Sequence, residues 1–265
     1  MYNFEYLRPR SLAEAVEAMK GEDAQALSGG QTLIPTLKAR LAQPSVLVDL
    51  TGLAELKGVS RMGDVLAIGA ATRHADVAAS AAARAAIPAV AALAGNIGDP
   101  AVRNRGTIGG SIANNDPAAC YPSAALALGA TIHTSAGRAI GADDFFQGMF
   151  ETALDEGELV TRVDLPIPMA ANYQKFEQPA SRFALVGVFV ARFAGGVRVA
   201  ITGASESGVT RWEAAEAALT SSFSAEALSG LAFPADGLIG DIYGTPAYRA
   251  HLIAVLTRRA VQACG

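Results

Sequence analysis

The sequence predicts an α+β protein, on three observations. The final third reads as a β-hairpin followed by helices: apolar runs at 183–193 and 197–202 flank Ala194-Gly-Gly196, and helical patterns follow at 212–219 and 246–263. Strands followed by helices suggest a layered arrangement, not a doubly wound sheet. Neither G-x-G-x-x-G nor G-x-x-x-x-G-K-[ST] occurs, so the phosphate turns that open dinucleotide and P-loop folds are missing. At 265 residues, 51% hydrophobic and 17% charged, the chain is long enough to bury a substantial core and too apolar to be disordered.

The elements follow in order. Ser11-Leu-Ala-Glu14 is a capping box, in which serine and glutamate each satisfy a free N–H, and it predicts a helix over 13–20 closed by Gly21. A short strand at 24–27 leads through Ser28-Gly-Gly-Gln-Thr32 into a helix over 33–41, with Pro35 in its first turn. Residues 45–50 and 65–69 are β-rich, with a short helix or loop at 53–58 between them. The alanine-rich stretch 72–94 fits two helices separated near Ser80, with Pro88 near a start or at a kink. Residues 95–117 are dense in glycine and proline and read as a long loop system, whose backbone donors and acceptors need partners that a ligand can supply. Beyond it come a helix at 122–128, strands at 130–134 and 159–165, and a turn into a helix at 143–146. Pro166-Ile-Pro168 is the best domain boundary.

Composition excludes several function classes. Lysine plus arginine number 21 against 25 acidic residues, a net charge of −4, so there is no basic footprint for nucleic acid. The apolar runs at 81–94 and 183–193 are shorter than the roughly 20 residues of a membrane span, so no transmembrane segment is expected. Residues 1–10 read as neither a secretory signal nor a transit peptide, and with two dispersed cysteines, Cys120 and Cys264, the expected setting is the reducing cytoplasm. His74, His133 and His251 each stand apart from other ligand or nucleophile types and read as structural, and no metal site is expected.

Two glycine loops carry the remaining chemistry. Ser28-Gly-Gly-Gln-Thr32 lies between a strand and a helix, and Gly106-Thr-Ile-Gly-Gly-Ser111 repeats the paired glycines with flanking hydroxyls. Taken singly, each reads first as a tight turn. Taken together, two such loops suit a diphosphate held from both sides by backbone N–H groups and a helix start.

The residues also carry a resemblance. The run Ala-Gly-Asn-Ile-Gly-Asp-Pro-Ala-Val-Arg-Asn-Arg-Gly-Thr-Ile-Gly-Gly-Ser-Ile-Ala-Asn-Asn-Asp-Pro-Ala at 94–118 closely resembles the signature of the FAD-binding medium subunit of molybdenum hydroxylases, the carbon monoxide dehydrogenase and xanthine dehydrogenase type. Ser-Gly-Gly-Gln-Thr-Leu-Ile-Pro at 28–35 matches that family's first flavin motif, and further matches at 4–9, 173–178 and 248–259 extend the resemblance over essentially the whole chain. It implies a two-part FAD-binding module of the p-cresol methylhydroxylase/vanillyl-alcohol oxidase type over 1–170, with subdomains at about 1–57 and 58–170, then a smaller α+β domain at 171–265. FAD is expected between the two parts. Ser28, Gly29, Gly30, Gln31 and Thr32, flanked by Leu27 and Leu33, would wrap the diphosphate and ribityl region with Gly106, Thr107, Gly109, Gly110 and Ser111. Ile97 and Val102 fall in the approach loop, Asn114 and Asp116 line it, Leu159 reaches the adenine or flavin region, and Tyr173 and Lys175 match positions near the isoalloxazine ring. The sequence departs from the family at Cys120, where relatives commonly carry aspartate; the thiol is either a core side chain or an altered part of the flavin environment. Arg103 and Arg105 suit phosphate, a loop salt bridge or a subunit contact alike.

The implied function is an oxidoreductase subunit that does no substrate chemistry itself, so no residue is assigned as catalytic. Substrate would react at a molybdenum cofactor on a large subunit, and electrons would pass through two [2Fe–2S] clusters of a small subunit to FAD here and on to an external acceptor. A dimer of heterotrimers is the expected assembly. Two cysteines cannot ligate a cluster, which fits that division of labour. The alternatives are a stand-alone FAD-dependent oxidoreductase and a scaffold subunit that has lost flavin.

Overall fold

The computed structural model describes residues 1–264. Strand β1 (Glu5–Leu7) leads to helix α1 (Leu12–Ala18), which begins at the expected capping box: the Ser11 hydroxyl accepts the Glu14 N–H, while the Glu14 carboxylate accepts the Arg10 N–H at 2.7 Å. Next come β2 (Ala24–Leu27), α2 (Leu33–Lys38) and β3 (Val46–Asp49), and the three strands form a small parallel sheet in the order β1-β3-β2. Ala15, Val48, Leu50, Leu53 and Leu56 form its own small core.

A second, antiparallel sheet starts with the hairpin β4 (Val59–Met62) and β5 (Val65–Gly69). The alanine-rich stretch then forms three helices where two were expected: α3 (His74–Ala79), α4 (Ala81–Ala86) and α5 (Pro88–Gly95). Pro88 occupies the first turn of α5 and starts a helix instead of kinking one, because its missing N–H is unneeded there. The expected long loop at 95–117 also contains helices, α6 (Pro100–Arg103) and α7 (Ile108–Asn114). Side-chain caps offset the poor helix propensity: Asp99 accepts the Val102 N–H and Thr107 accepts the Gly110 N–H. Helix α8 (Cys120–Leu128) is buried along its entire length.

Strands β6 (Thr131–Thr134) and β7 (Ala139–Gly141), the short α9 (Ala142–Phe145), the two-stranded pair β8 (Phe146–Gly148) and β9 (Glu151–Thr152), and β10 (Val160–Pro166) follow. The second sheet runs β4-β5-β10-β6-β7 and packs its inner face, with Leu66, Ile68, Ile132 and Val163, into the largest core.

The carboxyl part is a four-stranded antiparallel sheet in chain order, β11 (Ala170–Glu177), β12 (Ala184–Phe193), β13 (Gly196–Ser205) and β14 (Gly208–Arg211), with α10 (Glu213–Ser221) and α11 (Pro246–Ala263) against one face. Its central strands are covered on both sides. Val188, Val190 and Ile201 face α10 and α11, while Phe189, Ala191 and Ala200 join the first core beside α8. Arg249 of α11, 3% exposed, donates to the carbonyls of Leu185 and Gly203 and to Asp241, each at 2.7 Å, and so fastens the helix to this sheet. The observed class is α+β, and no helix among the described residues is long and apolar enough to cross a membrane.

Candidate functional site

The small parallel sheet, the α3–α8 region and the β11–β12 turn enclose a cavity of about 840 Å³, a size typical of sites for organic cofactors. Both glycine loops line it. The first follows β2 and runs into α2, whose N-terminus has no side-chain cap. The N–H groups of Gly29, Gly30, Gln31, Thr32 and Leu33 donate to no protein acceptor among the described residues. Five consecutive free donors at a helix start are costly unless water or an anion meets them. Gly30 turns the chain with φ of +68°, a left-handed conformation that glycine adopts without strain.

The second loop differs. Its N–H groups are already engaged: Ile108 donates to Thr72, Gly109 to Ala70 at 2.9 Å, and Gly110 to the Thr107 hydroxyl. The expectation that paired glycines offer consecutive free N–H groups therefore holds for residues 29–33 and fails for 108–110, where two donors anchor α7 to the segment after β5 and the third is taken by the Thr107 cap. A Cβ on Gly109 would lie 2.7 Å from the Ala70 carbonyl oxygen, so this glycine permits close backbone packing. Gly110, exposed, faces open space apart from Thr107 and Ser28. The two loops touch: Ser28 Oγ and Thr107 Oγ1 are 2.8 Å apart, and a Cβ on Gly29 would strike the Arg105 carbonyl.

The structure brings nearly all sequence-predicted residues to this one cavity. Its wall includes Ser28 through Leu33, Ile97, Val102, Gly106, Thr107, Gly109, Gly110, Ser111, Asn114, Asp116 and Leu159. Leu27, Tyr173 and Lys175 are not on it. Leu27 packs behind Gly30. Tyr173 and Lys175 sit on β11 beside Cys120, and it is Cys120 that reaches the wall.

Several wall residues carry no motif. His74 lies against Gly106, closely enough that a Cβ there would meet its Nε2 at 2.6 Å. Burial, aided by the Arg103 charge, pushes its pKa down to about 4, so the imidazole is neutral at neutral pH, and its Nδ1 has no partner. Glu158, in the turn before β10, is held at a pKa of about 2 by the hydrogen bonds that the Arg138 guanidinium donates to it. At the opposite end, Ser181, Arg182 and Phe183 of the β11–β12 turn close the wall near Cys120. This end is tied to the carboxyl sheet, since Thr202 Oγ1 lies 2.9 and 2.7 Å from the Pro117 and Ala119 carbonyl oxygens and the Gly203 N–H donates to Pro117.

The arrangement fits an anionic organic ligand: backbone donors without protein partners at residues 29–33 share one cavity with apolar side chains such as Leu33, Leu50, Ile97, Val102 and Leu159. No grouping of three or more His, Cys, Asp or Glu side chains among the described residues is placed to hold a metal ion.

Comparison with known proteins gives a consistent result. The family described as FAD binding domain in molybdopterin dehydrogenase matches residues 2–168. The chain is 32% identical to the carbon monoxide dehydrogenase medium chain of Hydrogenophaga pseudoflava, over 98% of this chain and 96% of that one. It is 34% identical to the nicotine 6-hydroxylase medium subunit of Paenarthrobacter nicotinovorans, over the same shares. Among solved structures, a chain of quinoline 2-oxidoreductase from Pseudomonas putida 86 superposes with a TM-score of 0.88 at 31% identity, covering 99% of this chain and 97% of that one.

Proposed function

The chain belongs to the FAD-binding domain family of molybdopterin dehydrogenases, an oxidoreductase flavoprotein subunit with FAD as its cofactor, and from that premise we propose that it carries electrons from [2Fe–2S] clusters of a partner subunit to an external acceptor. The carrying observation is the uncapped start of α2, where five backbone donors have no protein partner and their residues line a cavity of cofactor size. The N–H groups of 29–33 are assigned to the FAD diphosphate, where negative charge also meets the positive end of α2. Ser111, Asn114 and Asp116 line the same cavity from α7 and the residues after it. The isoalloxazine ring is assigned to the end formed by Ile97, Cys120 and Phe183, and the adenosine to the end near Leu159. When bound, FAD supplies the redox chemistry; this chain's residues bind it, orient it and set its electrostatic surroundings.

Substrate oxidation is assigned to another chain. Two cysteines cannot supply the four thiolates of a [2Fe–2S] cluster, so the clusters belong to a small partner subunit and the molybdenum cofactor to a large one. The relatives' designation as medium chain or medium subunit supports such a complex, and a dimer of heterotrimers in the cytoplasm is the assembly we infer. Purification from the native host tests this reading. A larger molybdenum-containing chain and a smaller iron–sulfur chain should co-purify with the flavin; a lone chain that turns over a substrate with FAD only would overturn it.

A further inference from the structure

The Lys175 side chain is buried to 1% exposure, a placement that a lysine tolerates only when its ammonium is well partnered. Its Nζ donates to the carbonyls of Asn96 at 2.5 Å and Arg182 at 3.0 Å, and lies 3.9 Å from Cys120 Sγ. Two carbonyl dipoles satisfy its hydrogen bonds but leave its charge. The nearest carboxylate, Glu177 at 3.6 Å, pairs with it from off the cavity wall and is more than a third exposed, so water weakens the pair and Glu177 offsets the Lys175 charge only in part. On the cavity side the neighbour is Cys120, 5% exposed, with the buried Tyr173 hydroxyl beside it lacking any oxygen or nitrogen partner. Burial pushes the Cys120 thiol up more than Lys175 draws it down, so the thiol is neutral at neutral pH. The other charged wall residues at this end are Asp116, one of whose oxygens accepts the Ala118 N–H, and the exposed Arg182. These have opposite signs.

We propose that Cys120, as an uncharged wall residue in contact with the buried Lys175 ammonium, leaves that positive charge to act on the flavin end of the cavity, and that the pair raises the two-electron potential of the bound flavin. The inference rests on the assignment of FAD to this cavity with its ring at the Cys120 end. Adding electrons to the ring adds negative charge, which a cation buried behind a side chain that excludes water stabilises more than it would in water. Lys175 is thus a positioning and tuning residue; its own contacts are to backbone and thiol.

The test is a spectroelectrochemical titration of the full chain loaded with FAD. Cys120→Asp places a carboxylate against Lys175 and should lower the potential by about 30 mV or more, which corresponds to tenfold in the ratio of oxidised to reduced flavin at fixed poise for a two-electron couple. Lys175→Gln, which keeps a donor for the carbonyls and removes the charge, should shift it the same way and serves if the aspartate variant does not fold. Cys120→Ser changes the side chain without adding charge and should leave the potential in place. Equal shifts in the aspartate and serine variants, or no shift in either charge-changing variant, would overturn the assignment. A wild-type chain that takes up no FAD would instead overturn the reading of the cavity, and this inference with it.

Discussion

The two glycine loops carry nearly the same letters and do different physical work. In residues 28–32 the glycines leave a helix start open: Gly30 makes the left-handed turn, α2 begins without a cap, and the N–H groups of 29–33 have no protein partner. In 106–111 the donors are spent within the protein, those of Ile108 and Gly109 holding α7 to the segment after β5 and those of Gly110 and Ser111 closing on Thr107, and the Ala70 backbone leaves no room for a Cβ at Gly109. Each pair has one glycine pressed against protein backbone, Gly29 against the Arg105 carbonyl and Gly109 against Ala70, so it is the hydrogen-bond inventory that separates the two loops.

The largest expected effect separates Gly109 from its neighbour. Gly109→Val must displace backbone at Ala70 and should cost about 3 kcal/mol or more, seen as lost soluble yield or a large fall in Tm. A valine tolerated at 109 would break the distinction between the loops.

His74, packed under Gly106, gives an effect of similar size in acid. The unfolded chain protonates this imidazole near pH 6.5 and the folded chain only near pH 4, so stability falls as pH falls between those values, by about 3 kcal/mol in all. Denaturant melts across that range should show the loss, and His74→Gln should flatten it.

Gly110→Val is the smaller and more selective change. The side chain enters the cavity beside Thr107 and Ser28 with no rigid backbone in its way, so the FAD-free chain should melt within a few degrees of wild type while FAD affinity falls about tenfold or more. Equilibrium dialysis with FAD reads it directly. Smallest is Ser28→Ala, which removes the 2.8 Å hydrogen bond between the loops and should cost about 1 kcal/mol in the chemical melt.

Much of the fold was legible because its signals were local. The capping box at Ser11, the paired runs that became β12 and β13, and Pro246 opening α11 each announce themselves within a few residues. What escaped depended on tertiary partners. Strand β11, Ala170–Glu177, mixes polar and apolar residues and is a strand because β12 pairs with it along its length. Helix α7 carries two glycines and an asparagine and is a helix because Thr107, Thr72 and Ala70 take its first N–H groups. The site divides the same way. The glycine loops were readable as motifs, whereas His74, Glu158 and Phe183 reach the wall from separate parts of the chain with no shared spacing. Tyr173 and Lys175, expected near the flavin ring, lie off the wall behind Cys120, which occupies the wall position itself.

The central claim, that backbone donors at the start of α2 hold a diphosphate, is tested most directly by titrating the full chain with FAD and with riboflavin under identical conditions. Hydrogen bonds to charged phosphate groups contribute about 1.5–3 kcal/mol each, so FAD should bind about a hundredfold or more tighter than riboflavin, which has no phosphate. Equal affinity for the two would contradict the account.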